Sequence, residues 1–214
     1  DYFYNDYKNS PLILLKIEEF IHNNYDDKSS PEILLDSDHI FGVLFSSGTT
    51  GVPKGIERDN NSIVSELIGW IIEMRLTSET IFYLGRPIFY TGGLVLSLST
   101  LIVGGTLIIN NYKDDNNFLD IWNDYQNVLE SSNISWAFFI PEQLRTFLSF
   151  NLENIKSAKK ILCMGSPIAG EEKINVKHYL KSEIIESWGN SESLGTITDE
   201  QDVNIRPSSI GRPF

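Results

Sequence analysis

The sequence holds few of the residues that build disulfide frameworks and metal clusters. It contains one cysteine and three histidines in 214 residues. A single cysteine excludes an internal disulfide, so nothing points to an oxidising compartment. Cys163 lies among apolar neighbours, which is typical of an inert core thiol. His22, His39 and His178 are too scattered for a metal site, and we interpret them as structural or surface residues.

Basic side chains are also scarce. Seventeen lysines and arginines stand against 29 aspartates and glutamates, which gives a net charge of -12. Such a surface repels a phosphate backbone, so nucleic acid is not an expected partner. Any bound phosphate group would need nearby groups that offset this negative charge, such as backbone amides, a lysine or a metal ion.

Long hydrophobic runs are missing as well. The apolar stretch 94–103 is interrupted by serines and a threonine, and it is too short to cross a bilayer. No signal-peptide pattern is visible. We therefore expect no membrane span and a cytoplasmic protein.

Short β-branched and aromatic runs alternate with stretches of helical period, a pattern typical of parallel strands joined by crossover helices. The predicted fold class is α/β, with a mostly parallel sheet and helices on both faces. Strands are predicted at 40–46, 80–84, 106–110, 134–140, 160–164 and 183–187. Helices are predicted at 15–24, 62–75, 92–103, 118–131, 142–150 and 170–180. Polar stretches at 23–31 and 110–117 are predicted surface loops.

The helix predicted at 62–75 has a distinct apolar stripe. Its apolar residues recur at three- and four-residue spacing, while Glu66 and Glu73 are expected to fall elsewhere. The stripe, which we assign to the core without a chemical role, comprises Ile63, Leu67, Trp70, Ile71 and Met74.

A glycine-rich segment follows the first predicted strand. Residues 46–55 read Ser-Ser-Gly-Thr-Thr-Gly-Val-Pro-Lys-Gly. Three glycines let the backbone turn with its amides inward, four hydroxyls add donors, and Lys54 supplies a positive charge. This is not the Walker pattern, because Pro53 precedes the lysine and Gly55 follows it. The segment predicts a clamp for a polyphosphate.

This segment closely resembles the signature loop of the adenylate-forming superfamily, which includes acyl- and aryl-CoA ligases, luciferases and the adenylation domains of peptide synthetases. Further motifs follow in the family's order. Residues 86–93 look like its Pro-x-Phe-His-x-x-Gly motif, 104–109 like its glycine-then-strand segment, and 165–168 like its Gly-Ala-Pro-Leu turn. Residues 139–144 resemble its step from an apolar residue through proline into a helix, 187–192 its Tyr-Gly-x-Thr-Glu motif, and 209–213 its Ser-Val-Gly-Arg-Pro segment.

The resemblance implies roles for residues at the matching positions. The loop would bind the β- and γ-phosphates of ATP through Ser46, Ser47, Gly48, Thr49, Thr50, Gly51 and Lys54. Gly165, Ser166 and Pro167 would lie beside the adenine, with Trp188 where a tyrosine normally stacks on it. Gly189, Asn190 and Ser191 would complete the nucleotide site, Ser191 standing for the threonine that meets the α-phosphate. Glu192, with Thr50, would bind Mg²⁺, and Lys54, Thr50 and Glu192 would be the catalytic residues.

The implied reaction is attack of a substrate carboxylate on the α-phosphorus of ATP, with pyrophosphate leaving. Phe89, Tyr90, Gly93 and Gly195 would form the acyl pocket. Peptide-synthetase domains usually carry an aspartate after the motif phenylalanine, and Tyr90 cannot supply its charge, which disfavours an amino-acid substrate. The resemblance thus favours a carboxylic acid activated for coenzyme A or for a carrier-protein thiol, and the chain could also form a homo-oligomer.

The resemblance identifies residues 1–214 as a partial large domain. The family's ribose-binding aspartate, its hinge and its mobile C-terminal domain with the catalytic lysine have no match in the sequence. We therefore expect weak ATP binding and little turnover from these residues alone.

Two further interpretations stay open at this stage. One is a non-catalytic nucleotide-binding or scaffold module on the same fold, and the other is an unrelated α/β domain with a chance glycine loop. If the ligase interpretation holds, the loop at 46–55 must face Glu192 across one nucleotide cleft.

Overall fold

The computed structural model describes residues 36–46, 54–109, 117–150 and 156–214. They all belong to one compact unit, Leu35–Phe214. The helix predicted at 15–24, the loop predicted at 23–31 and most of the loop predicted at 110–117 lie outside the described residues.

A two-stranded hairpin opens the described part of the chain. Strands β1 (Ile40–Ser46) and β2 (Lys54–Asp59) pair antiparallel, from Ser46 opposite Lys54 to Ile40 opposite Asp59. The bounds predicted for β1 are confirmed, but β1 pairs with β2 and does not join the parallel sheet. We did not predict β2, because Lys-Gly-Ile-Glu-Arg-Asp is mostly polar and has no clear alternation.

The remaining strands form a seven-stranded sheet in the order β4-β3-β5-β6-β7-β8-β9. They are β3 (Ile81–Leu84), β4 (Thr106–Ile109), β5 (Trp136–Phe139), β6 (Lys160–Met164), β7 (Glu183–Asn190), β8 (Ser193–Ile197) and β9 (Arg212–Pro213). The strands from β4 to β7 are parallel to their neighbours, whereas β8 and β9 are antiparallel. The predicted mostly parallel sheet is confirmed.

Within the described residues, six helices connect the strands: α1 (Asn60–Met74), α2 (Thr91–Ile102), α3 (Phe118–Ser131), α4 (Pro141–Ser149), α5 (Gly170–Leu180) and α6 (Asp202–Ile205). Side-chain caps fix where several of them begin. Asp59 accepts a hydrogen bond from the Ser62 amide at 2.7 Å, and Asn117 accepts one from the Asp120 amide at 3.3 Å. These caps satisfy amides that have no partner inside the helix.

Helices cover both faces of the sheet, because successive strand residues point to opposite sides. On β5, Trp136 and Phe138 pack with the apolar stripe of α1 and with α2. Ala137 and Phe139 pack on the other face with α3, α4 and α5. All four are buried, so this strand reads as a continuous apolar run.

Two sequence interpretations of single residues can be judged from burial. Cys163 is fully buried, and burial raises the pKa of its thiol, so the interpretation as a core thiol is confirmed. Glu66 was expected away from the apolar stripe of α1, but it is only 5% exposed, and this expectation was wrong. The reason is a buried partner, Arg58, described below.

The strand order creates the place for a site. Along the chain β4 follows β3 and lies on one side of it, whereas β5 lies on the other side. The connections that leave the carboxyl ends of β3 and β5 therefore run in opposite directions along the sheet. In open α/β sheets this switch point is where ligands bind.

Candidate functional site

A cavity of about 460 Å³ opens where strands β6 and β7 and the loop after β3 end. Several predicted site residues line it: Phe89, Tyr90, Gly165, Gly189, Asn190, Ser191 and Gly195. Leu44 and Phe45 of β1 and Trp70 of α1 line it as well. Three separate motifs of the sequence, together with the strand before the glycine-rich loop, thus meet at one cavity.

The two ends of the glycine-rich loop are fixed beside this cavity. Ser46 ends β1 and pairs with Lys54, the first residue of β2. Phe45, directly before the loop, lines the cavity, and Lys54 is exposed. Ser47, Gly48, Thr49, Thr50 and Gly51 lie outside the described residues, so their roles stay predictions.

The turn between β7 and β8 carries the predicted phosphate and metal contacts. The Ser191 hydroxyl lies 3.1 Å from the Thr91 hydroxyl at the start of α2. The Ser191 carbonyl accepts a hydrogen bond from Arg58 Nη1 at 3.1 Å. Glu192 is exposed, and its amide donates to the Asn190 side chain at 3.2 Å. The Glu192 carboxylate is exposed on this turn but does not line the cavity itself, and Arg58 holds the backbone of the turn.

Trp188 of β7 pairs with Thr196 of β8, and the neighbouring Gly195 lies against the Trp188 carbonyl. A Cβ atom at Gly195 would stand 1.5 Å from the Trp188 carbonyl oxygen, so only glycine fits there. The Trp188 side chain is 56% exposed and does not line the cavity. An exposed ring can stack on a planar base, and the adenine-stacking role of Trp188 stays a prediction.

The loop from β3 into α2 forms another wall. Phe89 and Tyr90 are exposed at the cavity, with ring centroids 4.7 Å apart. The Arg86 guanidinium lies 4.7 Å from the Tyr90 ring centroid. Gly93 is buried behind this wall, where a Cβ atom would come within 2.3 Å of the Pro87 carbonyl oxygen. Gly93 thus permits close packing of the wall, and it does not line the cavity itself.

The turn after β6 brings one of its three predicted residues to the cavity. Gly165, with a φ of 117°, lines it. The Ser166 hydroxyl donates to Glu142 at 2.8 Å, and the Pro167 carbonyl accepts from Arg145 at 3.0 Å. Both contacts tie the turn to α4.

Arg145 also binds Glu172 at the start of α5, with a shortest N–O distance of 2.6 Å. This hydrogen bond, together with one from the Ala169 amide, lowers the pKa of Glu172 to about 2. Arg145 thus links the turn that carries Gly165 to the start of α5.

Sequence reasoning missed three residues at the site: Arg58, Glu66 and Thr91. Arg58 stands between two acids on a strand that we did not predict. Glu66 follows Ile63 by three residues and precedes Trp70 by four, which places it on the apolar stripe of α1. That spacing could have revealed a buried acid in need of a cation.

The residues at the site could hold a magnesium ion only if phosphate oxygens complete its coordination shell. Among the described residues, no group of three or more histidines, cysteines and acids lies together as a metal site. Mg²⁺ is commonly bound through one or two carboxylates plus substrate phosphates and water, and Glu192 offers one such carboxylate. The chemistry of this donor fits a metal that arrives with a nucleotide.

A larger cleft of about 560 Å³ lies elsewhere, near the first residues of β5 and β6. None of the predicted site residues lines it. Two of its basic residues are already paired with acids, Lys160 with Glu200 and Arg212 with Glu73. We therefore place the site at the smaller cavity. In the part of the chain that the structure describes, no helix has the length and apolar character needed to cross a membrane.

Known proteins resemble this chain in sequence. The chain is 22% identical over 149 residues to feruloyl-CoA synthase from an Amycolatopsis species, which covers 68% of this chain and 29% of that protein. It is 28% identical over 171 residues to N-benzoylphenylalaninol synthetase from Penicillium brevicompactum, which covers 79% of this chain and 7% of that one. The chain thus spans less than a third of the length of these relatives.

The fold has counterparts among solved structures. The structure of o-succinylbenzoate CoA synthetase from Bacillus subtilis, in complex with its acyl-adenylate intermediate, matches 98% of this chain and 42% of its own, with a TM-score of 0.76 and 17% identity. The sequence model of the AMP-binding enzymes matches residues 8–214. Since this match spans nearly the whole sequence, the chain belongs to the AMP-binding enzyme family.

Proposed function

We propose that this chain carries the ATP-binding core of a ligase that activates a carboxylic acid as an acyl-adenylate, of the acyl- or aryl-CoA ligase type. The observation that carries the proposal is the shared cavity, which is lined from the strand before the glycine-rich loop, the Phe89–Tyr90 wall, the Gly165 turn and the β7–β8 turn. These segments are spread over the sequence from Leu44 to Gly195, and a chance glycine loop gives no reason for them to meet.

In the proposed reaction a carboxylate oxygen of the acid forms a bond to the α-phosphorus of ATP. The bond from that phosphorus to the bridging oxygen breaks, and pyrophosphate leaves with the electron pair. No side chain has to act as a nucleophile. Catalysis rests on positioning and on charge stabilisation, for which the chain offers Lys54, the Ser191 hydroxyl and Glu192 as a ligand for Mg²⁺. The metal would neutralise charge on the phosphates.

The residues that line the cavity favour a substrate carboxylic acid without an amino group. Glu66 is the one carboxylate among the described residues that line the cavity, and it is already bound to Arg58 at 2.7 Å. A substrate ammonium group would therefore find no unpaired acid on these walls. Aromatic and aliphatic side chains such as Phe45, Phe89 and Val95 suit an apolar acyl group. The acceptor would be the thiol of coenzyme A or of a carrier protein.

The first test is binding of Mg·ATP to the purified chain, followed by NMR titration or calorimetry. We expect Lys54→Ala to weaken binding by about tenfold or more, because it removes a charge-assisted contact worth about 1.5–3 kcal/mol. Glu192→Ala should remove the dependence of affinity on Mg²⁺. Lys159→Ala is the matched control, since this exposed lysine lies just before β6, at the other end of the strand from the cavity.

Equal affinity of the Lys54→Ala and Lys159→Ala variants would contradict the proposed role of the loop. An absence of saturable binding of Mg·ATP to the wild-type chain at millimolar concentrations would also contradict the proposed function.

A further inference from the structure

Arg58 is a buried cation whose charge is balanced by one buried acid. Its Nη2 lies 2.7 Å from Glu66 Oε2, and both side chains are 6% exposed. The pair joins β2 to the first half of α1. Because the two charges neutralise each other, Arg58 adds little net field at the cavity.

The other two nitrogens of the Arg58 guanidinium also donate hydrogen bonds. Nη1 donates to the Ser191 carbonyl at 3.1 Å, and Nε donates to the Ser62 hydroxyl at 3.3 Å. The planar fork of arginine can serve several acceptors at once, which lysine cannot do in the same way. Glu66 and Ser62 thus hold the group in the orientation that reaches Ser191.

Stability alone does not explain why a charged pair is buried here. Replacing a buried ion pair by apolar side chains of similar volume is often neutral or stabilising. An apolar pair, however, could not donate a hydrogen bond to the Ser191 carbonyl.

The bond from Arg58 to Ser191 also crosses between two sheets. β2 belongs to the two-stranded hairpin, whereas the β7–β8 turn belongs to the seven-stranded sheet. No strand pairing joins them, so side chains must set their relative position. β2 begins at Lys54, near the end of the glycine-rich loop, and the β7–β8 turn presents Glu192.

We propose that Arg58, oriented by Glu66, is a positioning residue that fixes the β7–β8 turn relative to the strand after the glycine-rich loop. It acts on the nucleotide through Ser191 and Glu192, and it does not touch the reacting atoms. This role rests on the proposed function, because that function places both segments at the phosphates.

Two variants separate positioning from plain stability. The double variant R58M/E66M removes both charges, keeps the volume and loses the bond to Ser191. Arg58→Lys keeps a cation beside Glu66 but loses the planar guanidinium, whose Nη1 donates to the Ser191 carbonyl. If one variant fails to fold, the other still carries the test.

Hydrogen–deuterium exchange of the amides at 190–192 gives a readout that needs no nucleotide. We expect both variants to unfold at nearly the wild-type denaturant concentration, with exchange at this turn about tenfold faster. Their affinity for Mg·ATP should fall by about five- to tenfold. Wild-type exchange in folded variants would overturn the proposal, and so would faster exchange with unchanged affinity. Failure of the proposed function would show instead as absent binding in the wild type, whatever the exchange rates.

Discussion

At the scale of single residues, glycines decide where the backbone can approach itself at the site. Gly195 and Gly42 both lie in or at strands of hairpins, but their surroundings differ. A Cβ atom at Gly195 would overlap the Trp188 carbonyl oxygen, whereas a Cβ atom at Gly42 would meet nothing within 4 Å. The same substitution should therefore have opposite effects at the two positions.

We predict that Gly195→Ala lowers the free energy of unfolding by about 1–3 kcal/mol, since the overlap lies with backbone that must shift. Gly42→Ala is the matched control. It should raise the free energy of unfolding by about 0.4–1 kcal/mol, because alanine lowers the conformational entropy of the unfolded chain. Urea denaturation of both variants measures the difference. An unchanged or raised stability for Gly195→Ala would show that β7 and β8 do not approach as described.

At the scale of secondary structure elements, α4 and α5 are joined by an ion pair next to the Gly165 turn. Glu172 accepts hydrogen bonds from Arg145 and from the Ala169 amide. They lower the pKa of Glu172 from its ordinary value of 4.5 to about 2. A lowered pKa in the folded state means that the unfolded chain binds the proton more tightly, so the contribution to stability is present above pH 4.5 and is lost as the pH falls toward 2.

We predict that Glu172→Gln is less stable than the wild type at pH 6 and that the difference shrinks as the pH falls from 4.5 to 2. The side chain is 33% exposed, so solvent screening keeps the effect modest. Urea denaturation across this pH range measures it, with Glu130→Gln on the exposed side of α3 as the control. A stability difference that stays constant with pH would contradict the lowered pKa.

At the scale of the whole molecule, one buried ion pair joins three distant segments. Lys173 of α5 lies 2.7 Å from Glu186 of β7 and donates to the Ser209 carbonyl at 2.9 Å. The Lys173 side chain is 1% exposed. Removing Lys173 leaves the Glu186 carboxylate buried without its cation.

We therefore predict that Lys173→Met costs about 3–5 kcal/mol of stability. The double variant K173M/E186M should recover most of that loss, because no uncompensated charge remains. Chemical denaturation of the two variants and the wild type measures both losses. Equal losses in the single and double variants would show that the contact with Ser209, and not the ion pair, carries the stability.

The candidate site was only partly accessible to prediction from the sequence. The motif segments at Tyr90, Gly165 and Ser191 were named from their resemblance to family motifs, and the structure brings all three to one cavity. Arg58 and Glu66 were missed, because their pairing depends on β2, a strand with too little apolar pattern to be predicted.

The sequence by itself determined the fold class and the approximate position of most described elements, but β2, β8, β9 and α6 were not predicted. Helices α3 and α5 and strands β1 and β6 have the predicted bounds, since apolar periodicity and caps act within a few residues along the chain. Only the tertiary structure decided the order of the strands, the antiparallel partner of β1 and the bond from Arg58 to Ser191. These depend on contacts between residues as far as 133 positions apart, which no local pattern encodes.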